Sequence, residues 1–214
     1  MDKGCKILIF GAGGHGKVVL DILLESGADV LGFLDDEESK VGQEINGFKV
    51  LGGWSYLKNN KFSKLTKIAL GIGNNNIREK IFRQAKDLGL SVVSAIHPKA
   101  IVSRSVKLGE GVAIMPGAII NSSSVLEDGV VVNTGATVDH DCYLERFCQI
   151  WPGAHLAGTV RVGEFSYVGT SASIIQNIKI GKNVIIGAGA AVVSDIPDNV
   201  TAVGVPARVI KKHA

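Results

Sequence analysis

The chain has 214 residues, 46% hydrophobic but only 6% aromatic, with 27 glycines and a formal net charge of +3. That length suits one large or two modest domains; the charge is too slight to mark a nucleic-acid binder, and no run reaches the roughly 18 apolar residues of a membrane span. Three cysteines (Cys5, Cys142, Cys148) and no leader-like segment lead us to expect a reduced, cytoplasmic setting.

Residues 6–10, Lys-Ile-Leu-Ile-Phe, read as a buried strand. The turn Gly11-Ala-Gly-Gly-His-Gly16 follows at once, and residues 17–26 have helical spacing, with Val18, Val19, Ile22 and Leu23 on one face. A second strand over 30–34 ends in Asp35-Asp36, a short strand or turn covers 50–53, and a short helix covers 54–57. The third core strand, 67–71, closes in Gly71-Ile-Gly73 and Asn74-Asn-Asn76. A helix over 77–88 is expected to turn Ile77, Ile81, Ala85 and Leu88 inward, and residues 91–96 form a last strand. Alternating strands and helices indicate a small parallel α/β unit, Rossmann-like, over residues 1–97.

The glycine turn has three readings. Gly11-x-Gly13-x-x-Gly16 between a strand and a helix, with Asp35-Asp36 about twenty residues on, matches the dinucleotide fingerprint. The unit is too short for a second mononucleotide half, which weighs against NAD. A glycine turn at a helix N-terminus still offers free N–H groups to any nucleotide diphosphate, a nucleotide-sugar included. A tight turn with no ligand is the third reading.

From Val102 the pattern changes. Every sixth residue up to Val192 is Val, Ile or Leu, sixteen in all, and the residue four further on in each hexad is small or aliphatic. A fixed period of six predicts a parallel β-helix over residues 98–214, with three hexads to a coil and a height of about 25 Å at the inter-strand spacing. The aliphatic position points inward and the small one fits the corner. Cys142 and Cys148 take small inward positions and are expected to be inert. Residues 195–199 break the rhythm and read as a loop; Arg208, Lys211 and Lys212 read as a basic tail or as partners for a phosphate, and His213 as a tail residue.

His140, between Asp139 and Asp141, takes an outward hexad position. Its near-neutral pKa suits a general base, and acyl transfer to an amine needs one. Adding one coil places Gly158 beside it, where an exposed N–H would serve a developing oxyanion. The alternative is one polar residue among many on a solenoid surface.

Taken together, Gly11-Ala-Gly-Gly-His-Gly16, Phe33-Leu-Asp-Asp36, Gly71-Ile-Gly-Asn-Asn75 with Arg78, His97-Pro98, Asn133, Val138-Asp-His-Asp141 and Val203-Gly-Val-Pro-Ala207 resemble the sugar acetyltransferases of the NeuD/PglD type along the whole chain. The resemblance implies a left-handed solenoid, a homotrimer, and transfer of acetyl from acetyl-CoA. It implies His140 as base and Asp141 as its orienting acid, where the family often has Glu. It implies a nucleotide-sugar at Gly11, Gly13, Gly14, His15, Gly16, Asp35, Asp36, Asn74 and Asn133. It also implies CoA contacts at Gln149, Gly158, Thr170, Ala188, Pro206 and Arg208. Gln149 departs from the histidine that relatives often carry, and His155, out of phase with His140, is expected to matter little. The favoured acceptor is a nucleotide-linked amino sugar, with O-acetylation of a sialic acid and a non-catalytic nucleotide-binding trimer as alternatives. No metal is expected, because a three-histidine zinc site fails with only His140 and His155 in the repeat.

Overall fold

A computed structural model describes residues 5–59 and 66–213. It divides into two compact units, Met1–Pro98 and Lys99–Ala214.

The first unit runs β1 (Lys6–Phe10), α1 (Gly14–Glu25), β2 (Asp29–Leu34), β3 (Glu44–Ile45), β4 (Phe48–Gly52), α2 (Trp54–Asn59), β5 (Thr66–Leu70), α3 (Asn75–Asp87) and β6 (Ser91–Val93). The sheet order is β3-β4-β2-β1-β5-β6. All pairs are parallel except the β3–β4 hairpin, which was not anticipated. That hairpin turns on Asn46-Gly47, both at positive φ, the residue pair such a turn prefers. Because β2 and β5 flank β1 on opposite sides, the chain reverses direction across the sheet at β1. Ligands of open α/β sheets collect at the strand C-termini beside such a reversal. Here those ends carry Gly11 and Gly71.

Helix α3 differs from expectation. It starts at Asn75 behind an Asn74 cap, whose Oδ1 accepts from the Ile77 N–H at 3.0 Å. Its inward residues are Arg78, Ile81, Phe82 and Ala85, whereas Ile77 is 50% and Leu88 43% exposed. The polar Arg78 can replace an apolar residue because its guanidinium is fully paired inside the fold. It donates to the carbonyls of Ile72 and Gly73 at 3.2 and 3.3 Å and to Asn75 Oδ1 at 2.7 Å. The last predicted strand breaks at Ser94 into β6 and Ala95–Ile96.

The second unit is a left-handed parallel β-helix of two-residue strands on three faces. One face stacks Val131, Gln149 and Tyr167; the next Thr137, His155 and Ser173; the third Val125, Tyr143 and Arg161. Ile114 to Val192 are buried at the aliphatic hexad positions, and so are their small partners, Cys142 and Cys148 among them. The first coil departs from the pattern, with Val102 half-buried and Leu108 36% exposed.

The last coil is short: Ile185 pairs with Thr201, sixteen residues on. The predicted loop 195–199 holds one bridge, Ile180 to Ile196. The predicted tail is instead a strand, Arg208–Lys212, antiparallel to Val200–Val203. His213 is tied in as well, bonding Thr201 Oγ1 at 2.9 Å and the Asn183 carbonyl at 3.1 Å.

Candidate active site

Every coil turns three corners, and one residue in a corner commonly takes left-handed backbone geometry. At the corner after Thr137–Val138 that residue is Asp141, φ +58°, in line with Ser123 and Thr159 of the neighbouring coils. The fold imposes this conformation, and it swings the Asp141 carboxylate back over the preceding residue. Asp141 Oδ2 lies 2.8 Å from His140 Nδ1. The carboxylate therefore fixes the tautomer with the proton on Nδ1, which leaves Nε2 as the basic nitrogen. Among the described residues Nε2 has no hydrogen-bond partner.

The imidazole is half exposed and its Cε1–Nε2 edge lies over Gly158. A Cβ on Gly158 would sit 2.5 Å from Cε1 and 2.6 Å from Nε2, so only glycine fits under the ring as it stands. The Gly158 N–H has no acceptor among the described residues. The hydrogen bond that His140 donates to Asp141, aided by the charge of Asp139, holds the His140 pKa above its ordinary value. Cys142 follows directly but is no rival nucleophile: burial pushes its thiol up to about 11.

The sequence alone gives no role to Asp139, or to Asn121 on the preceding coil. Asp139 Oδ1 accepts from the His140 backbone N–H and from Asn121 Nδ2, both at 2.8 Å. Asn121 stands one coil before Asp139, so the eighteen-residue step that located Gly158 would have located this pair too. A shallow groove of about 440 Å³ runs beside them, lined by Asn121, Thr137, Asp139, His155 and Ala157 among others. His155 Nδ1 bonds Thr137 Oγ1 at 2.9 Å.

Apart from Gly158, the residues assigned to CoA by resemblance lie elsewhere on the coil. Thr170 and Ala188 are exposed at a different corner from His140, and Thr170 accepts the Gly189 N–H at 2.8 Å. Pro206 and Arg208 belong to the closing turn and strand; Arg208 Nη1 donates to the Ala207 carbonyl at 2.8 Å, leaving its other donors outward. Gln149 and Asn133 sit on the face before that corner. Gln149 is buried and its Oε1 lacks a partner. Asn133 Oδ1 accepts from the Thr134 N–H at 2.8 Å. Within one chain, then, His140, Asp141 and Gly158 come together, and the other solenoid candidates do not join them.

In the first unit close packing explains Gly11 and Gly16. A Cβ on Gly16 would meet the Gly11 carbonyl oxygen at 1.9 Å, and one on Gly11 the Gly71 oxygen at 2.5 Å. Gly13 and Gly14 are exposed, and α1 starts at Gly14 with no side-chain cap, so its first N–H groups face outward. Asp35 is engaged within the protein, accepting from the N–H groups of Ala12 and Glu37 and from Lys40 at 2.9, 3.0 and 3.1 Å. These partners hold its carboxyl below the usual range against partial burial. Asp36 Oδ1 accepts the Trp54 N–H at 2.7 Å and lines a cavity of about 360 Å³ with Tyr56 and Ser55.

His15 has a buried Nε2 with no partner among the described residues, and burial, with the nearby Arg78 charge, lowers its pKa to about 4. The folded chain thus refuses a proton that the unfolded chain accepts near pH 6.5. The stability this contributes is full above about pH 6.5 and is lost as the pH falls toward 4. Urea titrations from pH 7.5 to 4.5 should show that decline, flattened in His15→Asn; parallel curves for the two proteins would refute it.

The comparisons agree with this architecture. The family model described as the PglD N-terminal domain matches residues 6–85. The acetyltransferase domain of PglB from Neisseria gonorrhoeae FA1090 is 43% identical with a TM-score of 0.91, covering 96% of this chain and 99% of that one. A histidine-to-asparagine variant of perosamine N-acetyltransferase from Caulobacter crescentus, solved with CoA and GDP-perosamine, is 41% identical with a TM-score of 0.91 and 99% coverage of both chains. A curated relative, UDP-N-acetylbacillosamine N-acetyltransferase of Bacillus subtilis strain 168, is 37% identical over 118 residues; the match spans about half of either protein, 49% of each. Another, uncharacterized protein L142 of Acanthamoeba polyphaga mimivirus, is matched over only 20% of its length, at 33% identity. With near-complete coverage at over 40% identity, the chain belongs to the NeuD/PglD-type sugar acetyltransferases.

Proposed function

We propose that this protein transfers acetyl from acetyl-CoA to the amine of a nucleotide-linked amino sugar. The observation that carries the reading is the His140–Asp141 pair set over Gly158, a tautomer-fixed base on a buried glycine whose N–H has no acceptor among the described residues. Acetyl-CoA supplies an activated acyl carbon. The sugar nitrogen attacks it, a C–N bond forms and the C–S bond breaks. His140 Nε2 takes the proton from the nitrogen and returns it to the departing thiolate. The Gly158 N–H faces the oxygen that gains charge. Relatives solved with CoA and GDP-perosamine support the substrate class.

The nucleotide is assigned to the first unit, with its phosphates at the open start of α1 by Gly13 and Gly14, and Asp36, His15 and Asn74 around it. CoA is assigned to Thr170, Ala188, Pro206 and Arg208, with Gln149 and Asn133 close to the acyl end. These residues occupy a different corner from His140, so both sets meet only if neighbouring copies pack corner to corner. A homotrimer satisfies that requirement by closed symmetry, and sedimentation at micromolar concentration should give the mass of three chains; a single-chain mass would refute it.

The substrate is tested by following thiol release from acetyl-CoA with UDP-, GDP- and dTDP-linked amino sugars and free sialic acid. Turnover with an amino sugar is expected. Turnover with sialic acid alone would overturn the acceptor assignment, and no turnover with any of them would overturn the reading.

A further inference from the structure

We propose that Asn121 is a positioning residue for the transfer, acting on His140 through Asp139. The inference rests on the reading of His140 as the base.

The chain of contacts spans three coils. Asn121 Nδ2 donates to Asp139 Oδ1, and the same oxygen accepts the His140 backbone N–H. Asp141 then holds the imidazole at Nδ1, and Gly158 supports its far edge. One carboxylate oxygen thus takes two donors from two coils, and those two hydrogen bonds pin the Asp139 side chain. Its own main chain is pinned as well: Asp139 N–H donates to the Leu156 carbonyl at 3.0 Å, and its carbonyl accepts from Ser124 Oγ at 2.7 Å. With the backbone fixed, the Asp139 side-chain torsion is the freedom left, and Asn121 removes it.

The consequence is electrostatic and geometric. A pinned Asp139 keeps a fixed negative charge beside the ring without competing for Nδ1, which belongs to Asp141. Asn121 is also the leading influence keeping the Asp139 carboxyl ionised, ahead of the His140 N–H. Asp139 and Asp141 flank His140 on its own turn; on the preceding coil Asn121 bonds Asp139 and Ser122 bonds Asp141, and on the following one Gly158 lies under the ring and Thr159 bonds the His140 carbonyl. The two aspartates are the only titratable groups among these. Releasing Asp139 should therefore lower the proton affinity of His140 and loosen the turn that aims it.

A double-mutant cycle tests this. Asn121→Ala should lower kcat about 3- to 10-fold, the scale of one ordinary net hydrogen bond. It should also move the acid limb of the kcat/KM profile to lower pH. In an Asp139→Asn background the same change should cost less than about twofold and leave the limb where Asp139→Asn has put it. Asn121→Gln, which keeps an amide donor, should recover part of the loss. Additive losses, or an unmoved acid limb in Asn121→Ala, would overturn the proposal. His140→Ala, run alongside, separates the two levels: if it stays active the base assignment fails, and if it is inactive while the cycle is additive only the role of Asn121 fails.

Discussion

His140→Ala should lower kcat by about 10²- to 10⁴-fold, the range a positioned general base contributes. The imidazole is half exposed at a corner, so the fold and acetyl-CoA binding should persist. Asp141→Asn should lose less, because the base remains. It should also shift the acid limb of kcat/KM downward. The hydrogen bond that His140 donates to Asp141 is the main influence raising the His140 pKa, and an amide in its place keeps an oxygen acceptor but loses the negative charge that strengthens the bond. The limb itself should lie above the ordinary histidine value of about 6.5 in the wild type, since only the unprotonated ring can accept the proton. His155→Ala serves as the control. It sits on a flat face bonded to Thr137, and its loss should change kcat by less than about threefold. Retention of more than about a third of kcat in His140→Ala would remove His140 from the chemistry.

Legibility in the sequence followed periodicity. Through all but the last coil of the solenoid a residue's neighbour is eighteen residues away, so a repeat written in aliphatic residues also places Gly158 against His140. The Asn121–Asp139 contact was equally readable by that step and was passed over because neither residue carries an obvious chemistry alone. The α/β unit was read less finely. An apolar count put Ile77 and Leu88 inward, yet the inward place went to Arg78, whose cost of burial is offset by carbonyls of the Ile72-Gly73 loop. No spacing rule anticipates that, because the partners are backbone atoms set by the turn. Asp35 shows the same limit: its position matches a ribose-binding carboxylate, while its oxygens are already held by Ala12, Glu37 and Lys40. The short last coil was invisible for the opposite reason, since deleting two residues from a corner erases the period that would reveal it.

Gly158→Ala is the second large effect expected. The added methyl would lie 2.5 Å from His140 Cε1, closer than real Cβ atoms approach any neighbour, so something must move. The backbone at Gly158 is held by Asn177 and Thr159, which bond its carbonyl at 3.1 and 2.6 Å. The imidazole is a half-exposed side chain, so the ring gives way and the fold does not. Displacing it breaks the bond to Asp141 and carries Nε2 off its line to the amine; misplacement of this size costs about 10²-fold in rate. The Gly158 N–H survives the substitution, which keeps the loss assigned to the base. In a His140→Ala background the methyl has nothing to strike, so Gly158→Ala should then add less than about twofold. Wild-type kcat in Gly158→Ala would mean that the ring does not work from the position it holds over Gly158. A full second loss in the double variant would mean that the glycine serves the reaction in its own right, through the space it leaves for the thioester.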